Sequence, residues 1–455
     1  MSPSAAAVSV GPTADSPDDG RKVFAHYFPP YPVSIDNEPP ESDYYTRNLM
    51  AVSGEGGQHA AYGGYLRDRP LGREPRAGDW RAADLSAEVA DAAAAGIDGF
   101  TVDILGLSGS NWDATVNLMA AAASAERPFV VVPNLDANGT GAASSPSVVA
   151  DKLAELYASP AAYRLPDGRY LLSSFRAEGK SVAWWSSVMK ALADEHGIDV
   201  AFVAVLLEAS DSNLVAFAPI SYALSNWGGR TVEESESSEG LAPQVRSLGV
   251  RWMAPVAVQD VRPRNGVYAE SGNTETMRAM WRRAIGDEAD FVQLVTWNDY
   301  SETTSFAPSV HHGRAFLTLN AYFVKQYKGQ PEVQPGGDTL IVTHRTQFHD
   351  AQPTNGSALQ PTLGGATTAP RDTVEVVALL AAPASLAVTV GETVHRAEVP
   401  AGFSTFLFPL GLGSVSASLS RSGSEIARAS SPFPVVEHPR ASDLQYVAVM
   451  GTSPN

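Results

Sequence analysis

Cysteine is absent from all 455 residues, which removes disulfide staples, thiolate nucleophiles and cysteine-ligated zinc together. Long apolar runs are missing too: no stretch reaches the roughly 18 uninterrupted apolar residues of a membrane-spanning helix. Positive charge is scarce, with 32 Lys and Arg against 50 Asp and Glu and a formal net charge of −18. Such a surface repels nucleic acid and anionic lipid, so neither is expected as a partner, and a neutral one fits better. Tryptophan vanishes from the last third of the chain, all 8 lying at or before Trp297. The opening "MSPSAAAVSVGPTADSPDDG" lacks the basic and strongly apolar segments of a secretion leader. It reads as a flexible tail over 1–20, or as the start of a chain whose leader has been removed. A secreted or cell-surface location is the expectation, with the cytoplasm left open, because secreted bacterial proteins often lack disulfides too.

Hydrophobic residues make up 44% and charged residues 18%, the composition of a globular protein with a sizeable core. The length argues for two domains. Between about 22 and 300, eight β-rich runs alternate with alanine-rich segments of helical spacing: 22–28, 97–105, 127–136, 169–178, 199–209, 220–227, 250–258 and 290–299. Most are continuously apolar, as parallel strands covered on both faces should be. Eight such units predict a (β/α)8 TIM-type barrel over 21–330, although helices are poorly marked after the fifth and sixth strands. Beyond 331 the text changes to short alternating strands with Gly, Ser, Asn and Pro between them, which predicts a C-terminal antiparallel β-sandwich domain over 331–455. Without tryptophan, that domain is expected to pack against the barrel rather than to bind sugar.

In such a barrel the C-terminal strand ends converge on one mouth, so the polar residue that finishes each apolar run is the informative one. The ends supply His26 and Tyr27, Asp103, Asn134 and Asp136, Arg176 and Glu178, Glu208, Asn226 and Trp227, Gln259 and Asp260, and finally Trp297, Asn298, Asp299, Tyr300 and Glu302. Carboxylates mixed with Trp and Tyr suit a sugar, whose hydroxyls need hydrogen-bond partners and whose C–H faces stack on rings. Cleaving a glycosidic bond takes one carboxylic acid to protonate the leaving oxygen and one carboxylate to activate water or attack. Asp299 and Glu302 can be that pair only if the chain turns after Trp297, because positions three apart in a strand face opposite ways.

The stretch "VTWNDYSETTSFAPS" (295–309) resembles the W-N-D-Y-G-E-S signature of glycoside hydrolase family 71, the α-1,3-glucanases or mutanases. "VFAHYF" at the first strand, "LSNWGG" at the sixth and "RWMAPVA" at the seventh resemble that family in order. The resemblance implies a barrel followed by a β-sandwich, and inverting hydrolysis of α-linked glucan by Asp299 and Glu302. It leaves open which is acid and which is base. Ser301 stands where glycine is usual and Thr303 where serine is, beside the proposed pair. Two alternatives stand beside this reading: hydrolysis of a different polysaccharide, and a non-catalytic carbohydrate-binding protein on a barrel scaffold.

Each candidate also has a plain structural alternative. Asp299 and Glu302 would be a capped, solvated loop; Asp103 and His26 satisfied barrel residues; Asn134 and Asp136 the start of the next loop. Glu178 would pair with Arg176, Glu208 would open a helix, and Trp227 would be core. The acidic run "EESESSEG" (233–240) is expected to be a solvated loop. "HHG" (311–313) lacks a carboxylate at zinc-site spacing, so neither metal nor cofactor is predicted. The segment from about 30 to 80 reads as a long loop over the mouth, with Tyr31, Tyr44, Tyr45, Tyr62 and Tyr65 as sugar subsites.

Overall fold

The computed structural model describes residues 20–237, 240–330, 337–354, 359–364 and 369–452. The expected tail, Gly20 apart, lies outside these residues, and so does 331–336, where the domain junction was placed. Eight parallel strands close into a barrel: β1 Lys22–Tyr27, β2 Gly99–Ile104, β3 Val130–Asp136, β4 Tyr170–Phe175, β5 Val200–Leu206, β6 Ala223–Asn226, β7 Arg251–Val256 and β8 Phe291–Leu294. Each is hydrogen-bonded to the next in sequence, and β8 pairs back with β1 through Lys22 opposite Phe291.

Around it run α1 Trp80–Ala94, α2 Ser110–Ala123, α3 Pro146–Tyr157, α4 Val182–His196, α5 Asp211–Phe217, α6 Val232–Ser237, α7 Leu241–Ser247, α8 Glu275–Gly286 and α9 Ala315–Tyr327. Among the described residues, no helix is long and apolar enough to cross a membrane. The helices after β5 and β6 are the short ones, which is why their pattern is faint in the sequence. The acidic run expected to be a loop instead opens as α6. Thr231 Oγ1 accepts the Glu234 amide at 3.1 Å while the Glu234 carboxylate takes the Arg230 and Thr231 amides. This reciprocal capping box starts a helix that charge density alone argues against.

The pleat divides each barrel strand into two faces. Phe24, Val132, Leu171, Ala201, Val203, Val205, Ala223, Met253 and Phe291 fill the barrel interior. Val23, Ala25, Tyr27, Phe100, Val102 and Val131 belong to the layer beneath the helices. Above the interior plug, the same inward parity continues into His26, Asp103, Asn134, Asp136, Phe175 and Trp227.

The C-terminal part forms two four-stranded antiparallel sheets. One runs in the order Gly402–Pro409, Thr373–Leu380, Thr339–His344, Val447–Met450, and the other Thr393–Val399, Ala384–Val390, Val415–Arg421, Ser424–Ser430. Leu340, Val342, Val374 and Val376 share a core with Leu386, Val388, Ala417 and Leu419 of the other sheet. The opposite face of the first sheet, through Ile341, Val377 and Ala448, joins the barrel's outer layer. The sandwich thus packs on the barrel. Phe403 stacks on Tyr322 of α9 with ring centroids 5.1 Å apart.

Glu375 is fully buried at that junction, accepting from the Thr274 amide and hydroxyl and from Arg278 at 2.6 Å. Removing one member of a buried pair strands the other charge, at a cost of about 3–5 kcal/mol. Glu375→Ala is expected to lower the urea midpoint by the equivalent of that loss, whereas replacing the exposed Glu398 should leave it within about 0.5 kcal/mol. Equal midpoints for the two variants would show that the junction contributes nothing.

Candidate active site

Past Leu294 the chain leaves the sheet and folds back on itself. The Val295–Thr296 peptide is cis. The Thr296 amide donates to the Thr304 carbonyl and the Phe306 amide to the Thr296 carbonyl, at 3.0 Å each, and the Thr304 amide donates to the Asp299 carbonyl at 3.2 Å. Thr303 sits at φ +54°. The resulting loop brings Asp299 and Glu302 into one electrostatic neighbourhood. Both are half-buried.

Asp299 Oδ1 accepts the Ser301 amide at 2.9 Å and the Ser301 hydroxyl at 2.7 Å. Burial pushes its carboxyl up, and the Ser301 bonds and Arg262 pull it back down. Glu302 is pushed up to about 8, first by burial and then by Asp299, with Arg262 opposing. Its Oε1 lies 2.9 Å from Arg262 Nη1. Arg262 is in turn gripped by Asp260 through Nε and Nη2 at 2.6 Å each, and Asp260 also takes Arg230 at 3.1 Å. The arginine charge is therefore largely balanced before it meets Glu302.

The floor is built from inward-facing strand ends. Asp103 is 3% exposed, with its carboxyl held well above the usual range by burial and then by Asp136 and Asp299. His26 lies 3.9 Å from it, but burial drives the imidazole down to about 3. The contact is thus between neutral groups. Asn134 donates to Ser173 at 3.0 Å, and Gln293 donates to Thr101 at 3.2 Å. Buried Asp103 Oδ1, Asn134 Oδ1 and Gln293 Oε1 have no hydrogen-bond partner among the described residues. Trp227 meets His26 edge-on at 4.9 Å and Phe175 at 4.7 Å, leaving a half-buried aromatic wall. Asp136 stands beside Asp103, its carboxyl raised by burial and eased by the Asn138 and Gly139 amides.

Other expected pocket residues lie elsewhere. Tyr27 and Trp297 belong to the outer layer and donate to the two oxygens of Glu88 on α1 at 3.0 Å each. For Tyr27 the pleat is the reason: one position past inward-facing His26, it faces the helices. Asn298 is spent on backbone, accepting from the Phe28 amide and donating to the Phe28 and Tyr31 carbonyls. Tyr300 is buried among Tyr31, Tyr45, Leu49 and Leu66 beneath the long loop. Glu178 uses Oε1 to take the Leu207 and Glu208 amides at 2.9 Å, so it shapes the loop after β5, and Glu208 itself is exposed. Of the loop tyrosines, Tyr31 and Tyr65 join hydroxyls at 3.3 Å with Arg264 on Tyr65, while Tyr45 is a buried support for Pro32.

Arg262 and Arg230 escaped the sequence reading because they do not finish apolar runs. The usable signal was the alternation of Asp260 with Arg262 in "QDVRPRNG", a two-residue spacing that puts opposite charges on one face of an extended segment. Among the described residues, one group has metal-ligand spacing, Asp151 with Glu195 and His196, and it is exposed on the outer helices away from the mouth.

A closed barrel with paired acids, buried hydroxyl-accepting groups and an aromatic wall at its mouth is the arrangement of a glycoside hydrolase. Residues 76–453 match glycosyl hydrolase family 71. The glucan endo-1,3-alpha-glucosidase agn1 of Schizosaccharomyces pombe is 23% identical over 376 residues, which cover 76% of this chain and 85% of that protein. Two structures of the GH99 endo-alpha-mannosidase from Bacteroides thetaiotaomicron superpose with TM-scores of 0.52 and 0.53 at 14% and 15% identity, covering 68% of this chain and 97% of theirs; they share the barrel fold. The chain belongs to glycosyl hydrolase family 71 and is a glycoside hydrolase.

Glu88 is pushed up to about 8 from an ordinary 4.5, chiefly by burial, against the Trp297 and Tyr27 bonds. The folded state keeps a proton that the unfolded chain has already released, so this group's stabilising contribution is complete below pH 4.5 and is lost as pH rises through about 8. Glu88→Gln should therefore show a smaller drop in Tm between pH 5 and pH 9 than the parent protein. An identical drop would mean that Glu88 is ionised throughout.

Proposed function

We propose that this enzyme hydrolyses an α-1,3-linked glucan with inversion at the anomeric carbon, Asp299 acting as base and Glu302 as acid. The observation that carries the assignment is the unequal setting of the two carboxyls. Glu302, pushed up to about 8, holds a proton at neutral pH. Asp299 is favoured in its ionised form by two donors from Ser301. Pushing two neighbouring carboxyls apart in this way is how an acid and a base are made from the same chemistry. The linkage rests on the likeness to agn1, whose name states it.

In the reaction, Asp299 takes a proton from water as the water oxygen bonds to the anomeric carbon from the face opposite the leaving group. The glycosidic C–O bond breaks, and the Glu302 proton passes to the departing oxygen. Asp299 then returns its proton to solvent and Glu302 regains one, so the balance is one water consumed per bond. His26 and Asp103 form the floor toward the sugar hydroxyls with Asn134 and Gln293 buried behind them, and Trp227 offers an apolar wall to the C–H face of the sugar. We place the catalytic domain over 21–330 and its supporting sandwich over 331–455. A polymeric substrate puts the enzyme outside the cell or at its surface.

Asp299→Asn and Glu302→Gln are each expected to lower kcat on α-1,3-glucan by about a thousandfold or more. Proton NMR of the nascent product should show the β-anomer first, and release of α-anomer instead would exclude inversion. Turnover should fall as pH rises through about 8, where Glu302 loses its proton; a flat alkaline limb would transfer the acid role to another group. Incubation with a panel of α- and β-glucans, mannans and arabinans tests the substrate, and release of sugar only from a polymer without α-1,3 links would refute it.

A further inference from the structure

Ser301 sits between the two carboxyls in sequence and turns its hydroxyl onto Asp299. The Oγ–Oδ1 separation is 2.7 Å, and the Ser301 amide reaches the same oxygen at 2.9 Å. The amide bond alone closes the local turn, as an Asp side chain commonly does two residues before such an amide. The hydroxyl bond adds nothing that the turn needs. What it adds is a second donor on the oxygen of a half-buried carboxyl, where a hydrogen bond to the charged form favours that form.

We propose that Ser301 is a positioning residue for the base: its hydroxyl holds Asp299 in one rotamer and in its ionised state, so that the proton shared by this crowded site rests on Glu302. The inference rests on the roles given above for Asp299 and Glu302. The groups that face Asp299 come from four elements. They are Glu302 on its own loop, Arg262 on the segment after β7, Asp103 on β2 and Tyr31 on the segment after β1. Burial is what disfavours the charge on Asp299, and Arg262, which opposes it, is already bound to Asp260 and Glu302. The Ser301 hydroxyl, which also meets Tyr31, joins the Ser301 and Glu302 amides on Asp299, and of these three donors it is the one that a side-chain substitution can remove.

Ser301→Ala deletes the hydroxyl and keeps the amide, so it separates the two roles. In pH profiles of kcat on an α-1,3-glucan oligosaccharide, the acid limb, set by protonation of Asp299, should move up by about one pH unit. Ser301→Thr, which keeps a hydroxyl, should return it. The alkaline limb, set by Glu302, should move far less than the acid limb. A simple packing defect would lower kcat at every pH and leave the limb in place. An unmoved acid limb in Ser301→Ala, with Asp299→Asn still inactive, overturns the inference and leaves the reading of the reaction standing. Turnover retained by Asp299→Asn overturns both. If the alanine variant does not fold, Ser301→Gly carries the same test, because it too keeps the amide.

Discussion

The site depends on one constraint: the chain after β8 must turn inward, and it is held in that turn from outside the barrel. Trp297 is tied to Glu88 on α1, and Asn298 to the backbone of the segment after β1. Thr296 and Thr304 close the loop from within, their hydroxyls 2.9 Å apart. With the backbone fixed by these buried anchors, Asp299 and Glu302 come close enough for Asp299 to raise the Glu302 carboxyl although three positions separate them. Buried polar anchors of this kind are costly to leave unmade, which gives the turn its definition.

Electrostatics at the mouth follow from crowding acids in a poorly hydrated space. Asp103, Asp136, Asp299 and Glu302 are all raised, burial being the first cause in each. Arg262 and Arg230 temper this without abolishing it, because Asp260 takes a share of both. The outcome is a site whose carboxyls hold their protons more tightly than free ones do, within a chain whose overall charge is −18.

The second domain bears on the site through the hairpin that carries Arg262. Val261–Arg262 pairs with Val267–Tyr268, and that strand pairs with Thr362–Leu363. Val261 and Tyr268 pack with Leu444 of the sandwich region, and Gln259 exchanges bonds with the Tyr446 backbone. Glu270, fully buried, binds Arg345 and the Tyr446 hydroxyl. A domain without tryptophan is thus a buttress, setting the height of the arginine that meets Glu302.

Much of this was written in the sequence. Continuous apolar runs declared parallel strands, their number declared the barrel, and the heptad at 297–303 declared the family. Those signals are local and repeat along the chain, so one sequence suffices to read them. What only the tertiary structure decided was direction. His26 and Tyr27 look equivalent as strand ends, yet the pleat sends one to the mouth and the other to α1; a strict count by twos along β1 would have separated them. Trp297, Asn298 and Tyr300 sit beside the acids in sequence but serve the outer clamp, and Arg262 and Ser301 gain their meaning from partners that the fold brings to them. Which carboxyl keeps its proton depends on burial and on charges from other strands, quantities that do not exist until the chain has closed on itself.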